Sequence, residues 1–204
     1  MREPLCLMLE MQDAMNARVN PEWRTAANAW YRAIWTECAE MLDHYGWKWW
    51  KHQAPDIDQV HLELVDILHF AMSDYLLREG DYAAAADRIA SELSDPRQQE
   101  DIRVAIETMA CSTITNRSMH FSDFAAVMRL VEMDFDTLYR MYVGKNVLNF
   151  FRQDHGYKDG SYVKVWDGRE DNEHLAELLE TLDSSNPGFR EDIYAALKAR
   201  YPAC

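Results

Sequence analysis

The stretch Asp56-IDQVHLELVDILHFAMSDYLLRE-Gly80 decides how this chain reads. Asp56 stands as an N-cap with Gln59 at the capping-box position, and Gly80 supplies the stop. At about 100° per residue, Gln59, Glu63, Asp66, Phe70 and Ser73 fall on one stripe. Val60, Leu64, Ile67, Leu68, Ala71 and Tyr75 flank it on one side, and Leu62, Val65, Met72 and Leu76 on the other. A helix that is apolar nearly all round belongs in a core. Its acids Glu63 and Asp66, at i and i+3, then form a buried pair that repels itself and loses hydration unless a cation neutralises it.

The same pattern extends outward in both directions. The 7 glycines and 6 prolines sit at punctuation points and β-branched alternation is almost absent, so the fold class is all-α. Helices are expected over about Pro4 to Val19, Thr25 to Tyr45 and Asp56 to Gly80. A further one opens at Asp95-Pro96 and runs to about Thr113, and another is capped by Ser122 and reaches toward Asp134. From Asp136 a helix runs to about Asp154, Gly156 to Asn172 reads as an irregular loop, and two helices follow at Glu173 to Leu182 and Arg190 to Arg200. No repeat or linker divides the chain, so residues 1–204 are expected to form one domain.

Composition narrows the function. Of 204 residues, 21 are Lys or Arg and 35 are Asp or Glu, a net charge of −14 that disfavours duplex nucleic acid and anionic membrane surfaces as partners. No apolar run approaches the roughly 20 residues of a membrane span, and no signal-peptide pattern is present. Cys6, Cys38, Cys111 and Cys204 lack metal-site spacing. They read as small buried hydrophobes, with Cys204 a free terminal thiol, in a reduced, cytoplasmic setting.

A second acid pair, Glu37 and Glu40, lies along the edge of the stripe Trp30, Ile34, Met41 and Tyr45, with His44 one turn later. The loop to the acidic helix is short, so the two helices are expected to be antiparallel neighbours with facing acids. Four carboxylates without cysteine make a hard oxygen site suited to Mg²⁺ or Mn²⁺, with zinc the poorer fit. Asp66 and His69 also have the carboxylate-x-x-His spacing of di-iron bundles, but the second such pair is missing, because Asp43 follows Glu40.

Two further groups surround these acids. Lys145, Asn149 and Arg152 lie at i, i+4 and i+7 on one helix face, and the following loop adds Lys158, Lys164 and Arg169 among Tyr157, Tyr162 and Trp166. An Asn amid cations and aromatics favours a phosphate or nucleotide grip. Trp47, Trp49 and Trp50, interleaved with Lys48 and Lys51, suit core, interface or base stacking, and Gln12 and Asn16 could read an amide-bearing base.

These residues carry a family resemblance. E37-C-A-E40 followed by E63-L-V-D66 resembles the ExxE…ExxD signature of the all-α nucleoside triphosphate pyrophosphatases, the superfamily of MazG-like and dimeric dUTPase enzymes. G144-K-N-V-L-N-F-F-R-Q-D-H-G-Y157, with Tyr162, Lys164, Trp166 and E170-D-N172, is similar to the dimeric dUTPase branch in particular. So are W47-K-W-W-K51, L64-V-D-I-L-H-F70 and Q12-D-A-M-N16.

The resemblance implies a multi-helix bundle and a homodimeric, Mg²⁺-dependent enzyme converting dUTP to dUMP and pyrophosphate. It implies that Glu37, Glu40, Glu63 and Asp66 hold metal, with Glu40 also orienting or deprotonating the attacking water. Lys145, Asn149, Arg152, Tyr157, Lys158, Lys164 and Asn172 would contact the phosphates, and Gln12, Asn16, Trp49, His69 and Phe70 would form the uracil and deoxyribose pocket. Two alternatives share these features: a related pyrophosphatase acting on another nucleotide such as dCTP, and a non-enzymatic helical interaction protein docking through its tryptophans.

Overall fold

The computed structural model describes residues 1–184 and 186–202; the expectation for Cys204 lies outside them. Among the described residues the chain forms nine α-helices and one small hairpin. They are α1 (Arg2–Val19), α2 (Trp30–Tyr45), α3 (Ile57–Glu79), α4 (Tyr82–Leu93), α5 (Ile102–Asn116), α6 (Phe121–Leu130), α7 (Phe135–Asp154), α8 (Asp171–Thr181) and α9 (Phe189–Arg200). The fold is all-α.

Helix α3 is the central element, packed against α1, α2, α4 and α7. Val60, Leu64, Val65, Ile67, Leu68, Ala71, Met72 and Leu76 are fully buried. At about 1.5–3 kcal/mol for each large aliphatic side chain, this burial far outweighs the cost of carrying a few polar groups inside. The Asp56 carboxylate accepts from the Gln59 amide, as the cap pattern predicts, while the Asp56 N–H donates to the His44 carbonyl. That bond ties the start of α3 to the end of α2, and the α2–α3 pair forms the most extensive helix contact in the fold.

Several boundaries differ from the sequence expectation. Helix α2 begins at Trp30, not Thr25, because residues 20–26 form turns and Ala27 takes a positive φ of 52° that interrupts any helix. Helix α4 was not anticipated, although Tyr82, Ala85, Ala86, Ile89 and Leu93 recur at helical spacing and Asp81 caps it through the Ala84 amide. The Asp95-Pro96 pair opens no helix. Asp101 is the N-cap of α5, accepting from Arg103 and Val104, while the Arg97 N–H is taken by the Ser122 carbonyl. Ser122 lies inside α6, whose N-cap is His120.

The Gly156–Asn172 segment is more ordered than an irregular loop. It holds a 3₁₀ turn at Tyr157–Asp159 and an antiparallel hairpin pairing β1 (Val165–Trp166) with β2 (Arg169–Glu170). Asp167 and Gly168 both take positive φ (48° and 80°), the conformation that a two-residue hairpin turn requires and that Asp-Gly favours. Trp166 is fully buried and stacks on His174. Of the cysteines, Cys38 is a core residue whose thiol burial pushes up to about 12, Cys6 is half-buried, and Cys111 is exposed rather than buried. No helix among the described residues is long and apolar enough to cross a membrane.

Candidate active site

Helices α2 and α3 bring three acids together. Glu37, Glu40 and Glu63 each offer a carboxylate oxygen, and these oxygens lie within 4.8 Å of one another. Glu63 is buried, Glu37 half-buried and Glu40 exposed. Burial pushes the Glu37 carboxyl up, and a hydrogen bond to Glu63 and the charges of Asp66, Glu63 and Glu40 push it further. Burial likewise raises Glu63, with Asp66 and Glu40 adding to it and the Glu37 hydrogen bond and Lys145 opposing. His44 Nε2 lies 3.5 Å from Glu63. Crowded carboxylates that hold a proton for want of positive charge, with oxygen donors and no sulfur among them, fit a hard divalent cation.

The fourth acid is engaged differently. Asp66 accepts from Lys145 Nζ at 2.9 Å, and Lys145 is almost wholly buried on α7. An ammonium so desolvated needs that partner. The pair sits in the wall of a cavity of about 390 Å³, which is lined also by Gln12, Asn16, Glu37, His69, Phe70, Asn149, Arg152 and Tyr157. Acids from α2 and α3, cations from α7 and amides from α1 thus meet around one space.

Hydrogen bonding in the far wall fixes what that space can recognise. Gln12 Nε2 donates to Asn16 Oδ1 (3.0 Å) and Ser73 Oγ (3.1 Å), using both its N–H groups. Gln12 Oε1 is therefore an acceptor, facing His69 Nδ1 at 2.6 Å and the Tyr142 hydroxyl at 3.2 Å. His69 Nδ1 must carry the proton in that bond, which leaves Nε2 as a lone-pair acceptor. Among the described residues nothing is bonded to this buried Nε2. Burial holds the His69 imidazole down to about 4, so the ring is neutral at physiological pH. One N–H of Asn16 is spent on Ser73 Oγ (2.9 Å), and its second remains available. The wall therefore contains an unpaired buried acceptor on His69 and a spare N–H on Asn16, with Phe70 as an apolar face against Trp30.

A family model described as dUTPase matches residues 4–157, three quarters of the chain. The chain belongs to the dUTPase family. Membership makes it an enzyme that hydrolyses dUTP, and every residue lining the cavity falls inside the matched segment. No curated protein matches the chain.

Of the residues that the sequence singled out, the structure gathers Gln12, Asn16, Glu37, Asp66, His69, Phe70, Lys145, Asn149, Arg152 and Tyr157 around this cavity, with Glu40 and Glu63 beside Glu37. It does not bring four others there. Trp49 is 90% exposed, packed edge-on against Trp50 beside Lys48 and Arg103. Lys158 Nζ donates to the Val19 carbonyl at 3.4 Å, and Lys164 pairs with Glu170 at 3.0 Å in solvent. Asn172 lines a separate cavity with Arg140 and Arg169 between α3, α7 and α8. Sequence reasoning missed Tyr142 and assigned no role to Ser73, although Ser73 stood on the polar stripe of α3 where an apolar residue would otherwise be expected.

Proposed function

We propose that this dUTPase cleaves dUTP to dUMP and pyrophosphate with Mg²⁺, for which Mn²⁺ can substitute, and that it works as a cytoplasmic homodimer. The observation that carries the base assignment is the free acceptor on His69. Uracil presents N3–H between two carbonyl oxygens, a pattern that His69 Nε2 and the free N–H of Asn16 complement. Cytosine presents a lone pair at N3, and two acceptors facing each other in a buried site leave both unpaired, at about 1–3 kcal/mol. Gln12, fully satisfied internally, serves to fix the His69 tautomer and the orientation of Asn16.

Glu37, Glu40 and Glu63 would hold the metal, with Asp66 beside them; when bound, the ion offsets phosphate charge and makes a water more acidic. Glu40, the most exposed of the acids, would orient the attacking water and accept its proton on a carboxylate oxygen. Lys145, held by Asp66, Asn149 and Arg152 would bind the phosphate oxygens and stabilise the charge that builds on departing pyrophosphate. Exposed Trp47, Trp49 and Trp50 supply apolar area that suits a second subunit. The test is pyrophosphate release from dUTP, dCTP, dTTP and UTP, each with Mg²⁺. Selective turnover of dUTP is expected, and equal turnover of dCTP would contradict the reading of His69.

A further inference from the structure

The residues beyond Tyr157 lie outside the family match, yet one of them reaches the cavity through Arg152. Asp171, at the start of α8, is fully buried. Its two oxygens accept from Arg152 Nε at 2.8 Å and Nη2 at 2.9 Å, and Tyr162 donates its hydroxyl to Oδ2 at 2.8 Å. The Asp171 N–H is itself held by the Lys164 carbonyl at 3.0 Å, so the carboxylate is anchored to the segment that carries the hairpin. On its other side, Arg152 Nη1 donates to Asn149 Oδ1 at 3.3 Å.

We propose that Asp171, braced by Tyr162, is a positioning residue that aims Arg152 at the phosphates of the substrate. The inference rests on the nucleotide reading of the cavity given above. A guanidinium has five N–H groups in a rigid plane. The side-on grip of Asp171 takes the Nε edge, Asn149 takes one N–H of Nη1, and one N–H on each of Nη1 and Nη2 remains for an anion in the cavity. Without the grip, a long side chain would sample several rotamers and lose that orientation. Asp171 is itself an anion, so its contribution to phosphate binding is the orientation of Arg152 rather than added attraction. The Tyr162 bond satisfies a carboxylate lone pair that water cannot reach, which keeps the pair viable when buried.

The test uses the full chain with Mg²⁺ and two probes, inorganic pyrophosphate and deoxyuridine, with binding measured by calorimetry. Asp171→Asn turns an acceptor into a donor facing Arg152. It is expected to weaken pyrophosphate binding about tenfold or more, in line with the cost of misplacing a positioned group, while deoxyuridine binding changes less than twofold. Tyr162→Phe, which keeps the ion pair, is expected to weaken pyrophosphate binding about two- to fivefold. It remains decisive should Asp171→Asn fail to fold. Unchanged pyrophosphate binding, an equal loss for deoxyuridine, or no pyrophosphate binding by the unaltered chain would overturn the proposal. Turnover of dUTP by the unaltered chain is followed in parallel. Its absence alongside an Asp171-dependent grip on pyrophosphate would remove the dUTP reading and leave the positioning role standing.

Discussion

Replacing His69 with Asn separates the two jobs that the imidazole performs. The Asn amide nitrogen can occupy the place of Nδ1 and keep donating to Gln12 Oε1, which the histidine approaches to 2.6 Å. Nothing then stands where Nε2 stood, and the acceptor facing the base is gone. Uracil N3–H would be buried without a partner, a loss of about 1–3 kcal/mol, or roughly 5- to 150-fold in kcat/KM for dUTP. Cytosine, with a lone pair at N3, loses an unfavourable contact instead, so dCTP turnover stays level or rises. The dUTP/dCTP ratio of kcat/KM should thus fall about tenfold or more, measured by pyrophosphate release at saturating Mg²⁺. An equal fall for both nucleotides, or an unchanged ratio, would refute the assignment of Nε2 as the group that reads the base.

Other predictions follow from the same network. Burial holds His69 at about 4 against 6.5 for a free imidazole, so below pH 6.5 the unfolded chain takes up a proton that the folded chain refuses. That part of the stability is present above pH 6.5 and is lost as pH falls toward 4, at about 1.4 kcal/mol per pH unit, or about 3 kcal/mol in all. Urea unfolding should show this extra loss in the natural chain relative to His69→Asn, and parallel curves would contradict it. Glu63→Gln should stay folded, since it relieves crowding among the acids, while dUTP hydrolysis disappears; full activity with Mg²⁺ would remove Glu63 from the metal site. Gly156→Ala should cost about 1–2 kcal/mol, because Gly156 takes φ of 87° and a Cβ there would collide with Ser161 Oγ. Thermal melting checks this, and an unchanged midpoint would contradict it. Trp49→Ala, whose ring is 90% exposed in the single chain, should weaken self-association measured by sedimentation while circular dichroism shows the helical fold unchanged, and an unaltered dimer would contradict the tryptophan interface.

What the sequence made legible divides along physical lines. The buried character of α3 and its paired acids could be read because helical periodicity is local and a carboxylate between apolar flanks is costly. The facing of α2 and α3 followed from a short connection, and Asp56 was visible as a cap because its acceptor lies three residues from its donor. Ranges that depended on competing caps were harder to read: Asp95 and Asp101 both suit an N-cap, and only the tertiary bond from Arg97 to the Ser122 carbonyl decides between them. Helix α4 was legible in principle, because Asp81 is a capping residue and Ala85, Ala86 and Ile89 recur at helical spacing. At the site, residue types were legible and pairings were not. Nothing local in the sequence says that Lys145 sits on Asp66 or Arg152 on Asp171, since those partners are 79 and 19 residues apart. Nor does it say that Gln12 spends its whole amide on neighbours.

The most direct test of the account is dUTP turnover as Mg²⁺ is titrated into chelated protein and then withdrawn. The account predicts pyrophosphate and dUMP in equal amounts, appearing with Mg²⁺, ceasing with chelator, and absent throughout for Glu63→Gln. Turnover that persists in chelator, or that survives in Glu63→Gln, would contradict the claim that the carboxylates of α2 and α3 act by holding a metal.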